Sequence, residues 1–149
     1  MVKITKNKKI AIVASKFNGF ITKRLLKACL QQLEHSGVSQ RNTTTIWVPG
    51  SFDIPVVALK LAKKNSIDAV ICLGAVIRGE TFHFELVAQS AAYGIVQAAL
   101  FSGKPVIFGV LSTETTDQAY QRSKENGDNK GRDAAIAALD MIDCLSQIK

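Results

Sequence analysis

Cysteine, histidine and long apolar runs are scarce in this chain, and each scarcity argues against a class of protein. The three cysteines, Cys29, Cys72 and Cys144, are odd in number, widely spaced and set in apolar patterns. That spacing fits neither a disulfide framework nor paired zinc ligands, and it predicts reduced core thiols. No uninterrupted apolar run reaches the ~18 residues of a membrane span. The lysine-rich start leads into an apolar run over 10–14, but the run stops at Ser15-Lys16, short of a secretory h-region. It reads as a first buried strand, in a protein expected to be soluble and cytoplasmic. Neither G-x-G-x-x-G nor G-x-x-x-x-G-K-[ST] follows any strand, which weakens a dinucleotide or P-loop reading. The net charge of +7 is scattered over several segments, and no helix carries basic residues interleaved with aromatics, so no nucleic-acid partner is expected.

What is present is a globular composition, 47% hydrophobic and 21% charged over 149 residues, enough for a single domain over 1–149 with one core. Short apolar runs predict strands over 9–14, 43–48, 68–73 and 106–111. Helical spacing predicts helices over 19–36, 51–64 and 82–102, with Ser51 as N-cap of the second and Gly37 and Gly103 as stops. Thr113 and Thr115 are possible caps for a short helix to about Ser123, and a polar loop over 124–131 leads to a last helix ending near Gln147. Strands alternating with helices predict a three-layer α/β/α sandwich around a four-stranded parallel sheet, flavodoxin-like, with right-handed crossovers.

In such a sheet, ligands sit at the carboxyl ends of the strands. The stretch L-G-A-V-I-R-G-E-T-F-H-F over 73–84 places Arg78, a glycine turn, Glu80, Thr81 and His83 between a strand and the longest helix. Backbone donors, a hydroxyl and the positive end of a helix dipole suit a phosphate, and a neutral imidazole can move protons. The plainer alternatives are N-capping for Thr81, a surface ion pair for Arg78, and a histidine satisfied by a backbone carbonyl for His83. At the second strand end, V-P-G-S-F-D-I-P brings Ser51, Phe52 and Asp53 beside the same crevice. Asp53 can accept from a polyol, or simply favour the dipole of its own helix by roughly 0.3–1 kcal/mol. Phe17, after the first strand, can stack on a planar ring or merely pack. By pattern alone Phe108 is a strand-core residue, Arg122 a solvated helix charge, and Lys130 and Asp133 an i,i+3 surface pair.

The segments A-S-K-F-N, V-P-G-S-F-D-I-P, G-A-V-I-R-G-E-T-F-H-F, F-G-V-L-S-T-E-T and N-K-G-R-D-A-A, in this order and spacing, closely resemble the 6,7-dimethyl-8-ribityllumazine synthase family of riboflavin biosynthesis. The resemblance covers almost the whole chain. It implies condensation of 5-amino-6-ribitylaminouracil with 3,4-dihydroxy-2-butanone 4-phosphate, without metal or organic cofactor. It further implies that Phe17 stacks on the pyrimidine, that Ser51, Phe52 and Asp53 contact the ribityl chain and ring, and that the backbone at Val76 and Ile77 binds ring polar atoms. Glu80 and Thr81 then hold the phosphate and His83 moves protons. Phe108, Arg122 and Lys130 arrive from a neighbouring subunit, with Asp133 orienting Lys130.

The resemblance also implies a homopentamer and a strand from Val2 to Thr5 added to a neighbour's sheet. By the same analogy, twelve pentamers form a sixty-subunit shell, which raises the question of an enclosed riboflavin synthase. The chain departs from the family pattern at Phe52-Asp53, where Trp or Tyr and Glu are frequent, and at Phe82, where a smaller residue or proline is common. Rival readings are a related riboflavin synthase acting on two lumazines, a non-catalytic flavin or lumazine carrier, and a generic flavodoxin-like binding or signalling domain.

Overall fold

The computed structural model describes residues 6–148, so the strand expected at Val2 to Thr5 lies outside the described residues. Four strands, β1 (Ile10–Ser15), β2 (Thr43–Val48), β3 (Ala69–Ile77) and β4 (Val106–Thr113), form one all-parallel sheet in the order β2-β1-β3-β4. The helices are α1 (Gly19–His35), α2 (Ile54–Ala62), α3 (His83–Ser102), α4 (Thr116–Gln121) and α5 (Lys130–Ser146). The β-α-β alternation and three-layer architecture are those expected.

The period-2 geometry of the strands divides the core into two halves. Ile10 and Ile12 of β1, with Ile71, Leu73 and Ala75 of β3, face Leu25 and Leu33 of α1 and Ala134 and Ala138 of α5. Ala11, Val13, Val70 and Cys72 face the other way, onto Ile54 and Ala58 of α2 and Ile95 and Ala98 of α3. β1 has a strand on each edge and a helix layer on each face, so all six of its residues are buried. Each fully buried isoleucine contributes roughly 1.5–3 kcal/mol.

Four readings of the elements and thiols need correcting. The helix read from Ser51 begins instead as a 3-10 turn, Ser51–Asp53, and Ser51 is not its cap; Gly50 holds that position, its N–H donating to the Asp53 carboxylate at 3.1 Å. β3 runs on to Ile77 and β4 to Thr113, because the two strands pair as far as Ile77 with Thr113. Val76 and Ile77 are therefore strand residues. Thr81 does not cap α3 either: Phe82 stands at the cap, and the Thr81 hydroxyl accepts only a long 3.4 Å bond from the His83 N–H.

The fourth correction concerns Cys144, which is exposed, unlike Cys29 and Cys72. Burial pushes the Cys29 thiol up to about 12 and the Cys72 thiol further still, so both remain protonated and inert at neutral pH. Iodoacetamide is expected to modify one thiol per native chain, Cys144, and all three after denaturation, as read by intact mass.

Polar residues interrupt α3 well short of ~18 consecutive apolar positions, yet by length and composition it is apolar enough to cross a bilayer, and only 17% of its most apolar window is buried inside the chain. Leu86, Tyr93, Val96, Leu100 and Phe101 stay exposed along it. Its inner face packs tightly on α2, since a Cβ at Gly94 would lie 2.5 Å from the Pro55 ring.

Candidate active site

Parallel strands open all four carboxyl ends at one edge of the sheet, and short hydrogen bonds join the loops there. The Lys16 N–H donates to the Val48 carbonyl at 2.8 Å and the Phe17 N–H to the Pro49 carbonyl at 3.1 Å, which sets Phe17 beside the Ser51–Asp53 turn. Asn18, in the left-handed region at φ 55°, donates its side-chain amide to the Ala75 carbonyl at 2.8 Å and fixes the same loop to β3. At Gly74 three segments meet: a Cβ there would stand 2.7 Å from the hydroxyls of both Ser15 and Ser51, so only hydrogen fits. Ser51 is buried in this junction, whereas Phe17 and Phe52 are 71% and 63% exposed. Two aromatic faces and the partly buried Asp53 thus flank the crevice.

Between β3 and α3 the turn carrying Gly79, Glu80 and Thr81 is exposed, as is His83 in the first helical turn. Arg78 is exposed too, yet its side chain and backbone are held by several partners. It pairs with Glu85 and, at 2.6 Å, with Glu114; its guanidinium lies 4.5 Å above the Phe84 ring, and its N–H donates to the Thr113 carbonyl at 2.9 Å. The bond from Arg78 holds the Glu85 carboxyl below the usual carboxylate range, and the two carboxylates raise the guanidinium still higher. Of the two readings open for Arg78, anion ligand or ion pair, the geometry gives the ion pair.

A separate cleft of about 430 Å³ lies between β4 and the start of α5, lined by Phe108, Ser112, Arg122, Lys130, Asp133 and Ala137 among others. The Lys130 N–H donates to the Arg122 carbonyl at 2.9 Å and a β-bridge joins Ser123 to Asn129, so the loop between them closes and the two cations become neighbours. Asn129 caps α5, its side-chain oxygen accepting from the Gly131 and Arg132 N–H groups at 2.8 and 3.2 Å. The Lys130 ammonium stands 3.4 Å from Asp133 and 3.6 Å from Asp128. Arg122 is exposed and donates to the Gln118 carbonyl at 3.1 Å. Phe108 corrects the core expectation, being 48% exposed on an edge strand. A planar aromatic, a guanidinium and an ammonium held by a carboxylate can together take a flat polar ring and an anion.

The expected site residues thus fall into two groups. Phe108, Arg122, Lys130 and Asp133 share the cleft, while Phe17, Ser51, Phe52, Asp53, Val76, Ile77, Glu80, Thr81 and His83 do not line it. The supporting residues Asn18, Gly74 and Asn129 were not singled out from the sequence. Asn129, standing just before a helical pattern, is the one that capping preference could have found.

A family model described as 6,7-dimethyl-8-ribityllumazine synthase matches residues 7–146. A 6,7-dimethyl-8-ribityllumazine synthase from Leuconostoc mesenteroides subsp. mesenteroides is 46% identical over 143 residues, 96% of this chain and 92% of that protein. Another, from Protochlamydia amoebophila, is 47% identical over 140 residues, 94% of this chain and 81% of that protein.

Proposed function

This chain belongs to the 6,7-dimethyl-8-ribityllumazine synthase family, and from that premise we propose that its active site is completed between two copies of the chain. The enzyme condenses 5-amino-6-(D-ribitylamino)uracil with 3,4-dihydroxy-2-butanone 4-phosphate, releasing phosphate and water, in the penultimate step of riboflavin biosynthesis. The observation that carries the shared site is the division into two groups: the cleft of Phe108, Arg122 and Lys130 lacks the crevice residues that must face the same substrates.

One chain supplies Phe17 against the pyrimidine, Ser51, Phe52 and Asp53 toward the ribityl chain, and the backbone of Val76 and Ile77 toward ring polar atoms. Its Glu80 and Thr81 hold the phosphate. The neighbour supplies Phe108 on the other side of the ring, Arg122 to the phosphate, and Lys130, oriented by Asp133, to a ring carbonyl. The 5-amino nitrogen attacks the butanone carbonyl and water leaves to give an imine. Phosphate departs by elimination, taking the C–O bonding pair; the resulting enol tautomerises to a ketone, and the ribityl-bearing nitrogen attacks that carbonyl with loss of a second water to close the ring. His83 carries the protons. Because the two substrates are reactive once aligned, most of the acceleration comes from holding them together.

The exposed apolar side of α3 supports a homopentamer in which neighbouring copies cover that helix. The compact loop over 124–130 supports the finer proposal of twelve pentamers in a sixty-subunit shell, with room for an enclosed riboflavin synthase. The location proposed is the cytoplasm. Asp53 is one methylene shorter than the Glu frequent in the family, and Asp53 already accepts from Gly50, so its ribityl contact is longer or bridged by water.

The test is complementation. His83→Ala oligomers are expected to turn over slowly without losing activity entirely, and Arg122→Ala oligomers to bind the phosphate substrate weakly. Co-refolded from equal amounts, they regain activity, because random mixing leaves about one interface in four with both groups intact. Lumazine fluorescence measures the rate. A mixture no faster than the mean of its two parents would sink the shared site, and wild type no faster than background while still binding the lumazine would replace the enzyme with the carrier reading.

A further inference from the structure

We infer that Arg78, through its contacts with Glu85 and Glu114, is a positioning residue that fixes the Gly79–Phe82 turn; its effect on substrate rests on the reading of Glu80 and Thr81 as phosphate-binding. The turn is four exposed residues with little packing of its own, and its Thr81 hydroxyl makes only the 3.4 Å bond to His83. Such a segment samples many conformations unless its ends are held. Arg78 stands at one end, the last residue before the glycine, and Glu85 stands in the first turn of α3 at the other. Their ion pair spans the turn and closes it into a short loop.

The brace is anchored outside the loop by Glu114 and steadied within it by Phe84. Glu114, just past β4, takes the guanidinium Nε–H at 2.6 Å, and the Phe84 ring lies 4.5 Å beneath the charge. Main-chain pairing of the Arg78 N–H with the Thr113 carbonyl at 2.9 Å adds a second tie between the ends of β3 and β4. Glu114 reaches further: its N–H donates to the Gln118 side chain at 2.8 Å, and the Gln118 carbonyl accepts from Arg122 at 3.1 Å. The phosphate turn offered to one neighbour and the Arg122 offered to the other therefore rest on one network. The planar fork matters, since a lysine at this position could not address two carboxylates and a ring at once. With its guanidinium so occupied, Arg78 acts on the anion through the turn and not by contact.

Arg78→Gln, Arg78→Lys and Glu114→Gln, made in the full-length oligomer, test this. Arg78→Gln is expected to raise KM for the butanone phosphate about tenfold, leaving kcat and the aminouracil KM within about twofold, the pattern of lost ground-state binding to one substrate. Arg78→Lys recovers part of the loss and Glu114→Gln shows part of it. Amide exchange over 79–83 accelerates about tenfold in Arg78→Gln while β3 amides stay protected. Unchanged kinetics and unchanged exchange would overturn the brace, as would faster exchange throughout β3 and α3 with both KM values and kcat impaired together. Should wild type prove inactive, the synthase reading fails separately. The brace is then decided by exchange and by inorganic phosphate binding, followed by phosphorus NMR: faster turn exchange with weaker binding upholds it, and no change in either removes it.

Discussion

Replacing Arg122 with alanine is expected to lower kcat/KM for the butanone phosphate by about 10- to 150-fold, the equivalent of roughly 1.5–3 kcal/mol for a lost charge-assisted hydrogen bond. The loss should appear in the KM of the phosphate substrate more than in that of the aminouracil, because Lys130 and Phe108 remain in the cleft. The fold should scarcely respond. Arg122 is exposed, and the contact it makes with the Gln118 carbonyl lies within its own short helical segment, so the melting temperature should move little. Arg122→Lys should restore part of the affinity as a point charge lacking the bidentate fork. Raising ionic strength should weaken wild type toward the variant, since an exposed cation is readily screened. Steady-state kinetics with each substrate varied in turn will decide: an equal loss against both substrates, or a fall in kcat alone, would place Arg122 away from the phosphate.

The strands were readable wherever an apolar β-branched run ended at a sharp polar or Pro-Gly boundary, as at β1 and β2. β3 reads short in the sequence because Gly74 and Gly79 look like turn residues. In the fold Gly74 is a mid-strand position whose missing side chain admits two serine hydroxyls, and the strand continues because β4 pairs alongside it. Phe108 shows a different limit: an apolar residue on a strand reads as core until the strand proves to be the edge of the sheet, and order within the sheet is not a local property of sequence. The crevice residues were visible because each sits in a strand-to-helix loop, where polar and aromatic residues interrupt apolar periodicity. Their separation from Arg122 and Lys130 was not visible in patterning at all and entered through family resemblance. Arg78 lies between these cases: Glu85 is seven residues away and Glu114 thirty-six, and nothing in the spacing pairs them.

Gly131→Ala is expected to cost stability and activity together, because Gly131 is where α5 crosses α1. A Cβ there would stand 2.0 Å from the Leu25 carbonyl oxygen, against a floor near 3.0 Å for such contacts, and the neighbour is backbone that cannot rotate aside. The start of α5 must therefore retreat by about 1 Å. Overpacking of this kind costs about 1–3 kcal/mol, and each kilocalorie lowers the melting temperature of a domain this size by about 2–4 °C. The same retreat carries Lys130 and Asp133 out of register with Arg122, since the Lys130 N–H bond to the Arg122 carbonyl and the Asn129 cap both sit at that helix start. A misplacement of about 1 Å can cost up to about 10²-fold in rate, so the surviving folded protein should be slow as well as labile. Gly19→Ala is the control: at the start of α1 a new Cβ meets nothing within 4 Å, and the variant should melt and turn over like wild type or slightly better. Calorimetry and kinetics on the pair decide the matter. If Gly131→Ala melts with wild type and keeps its rate, the α1–α5 contact does not set the geometry of the cleft.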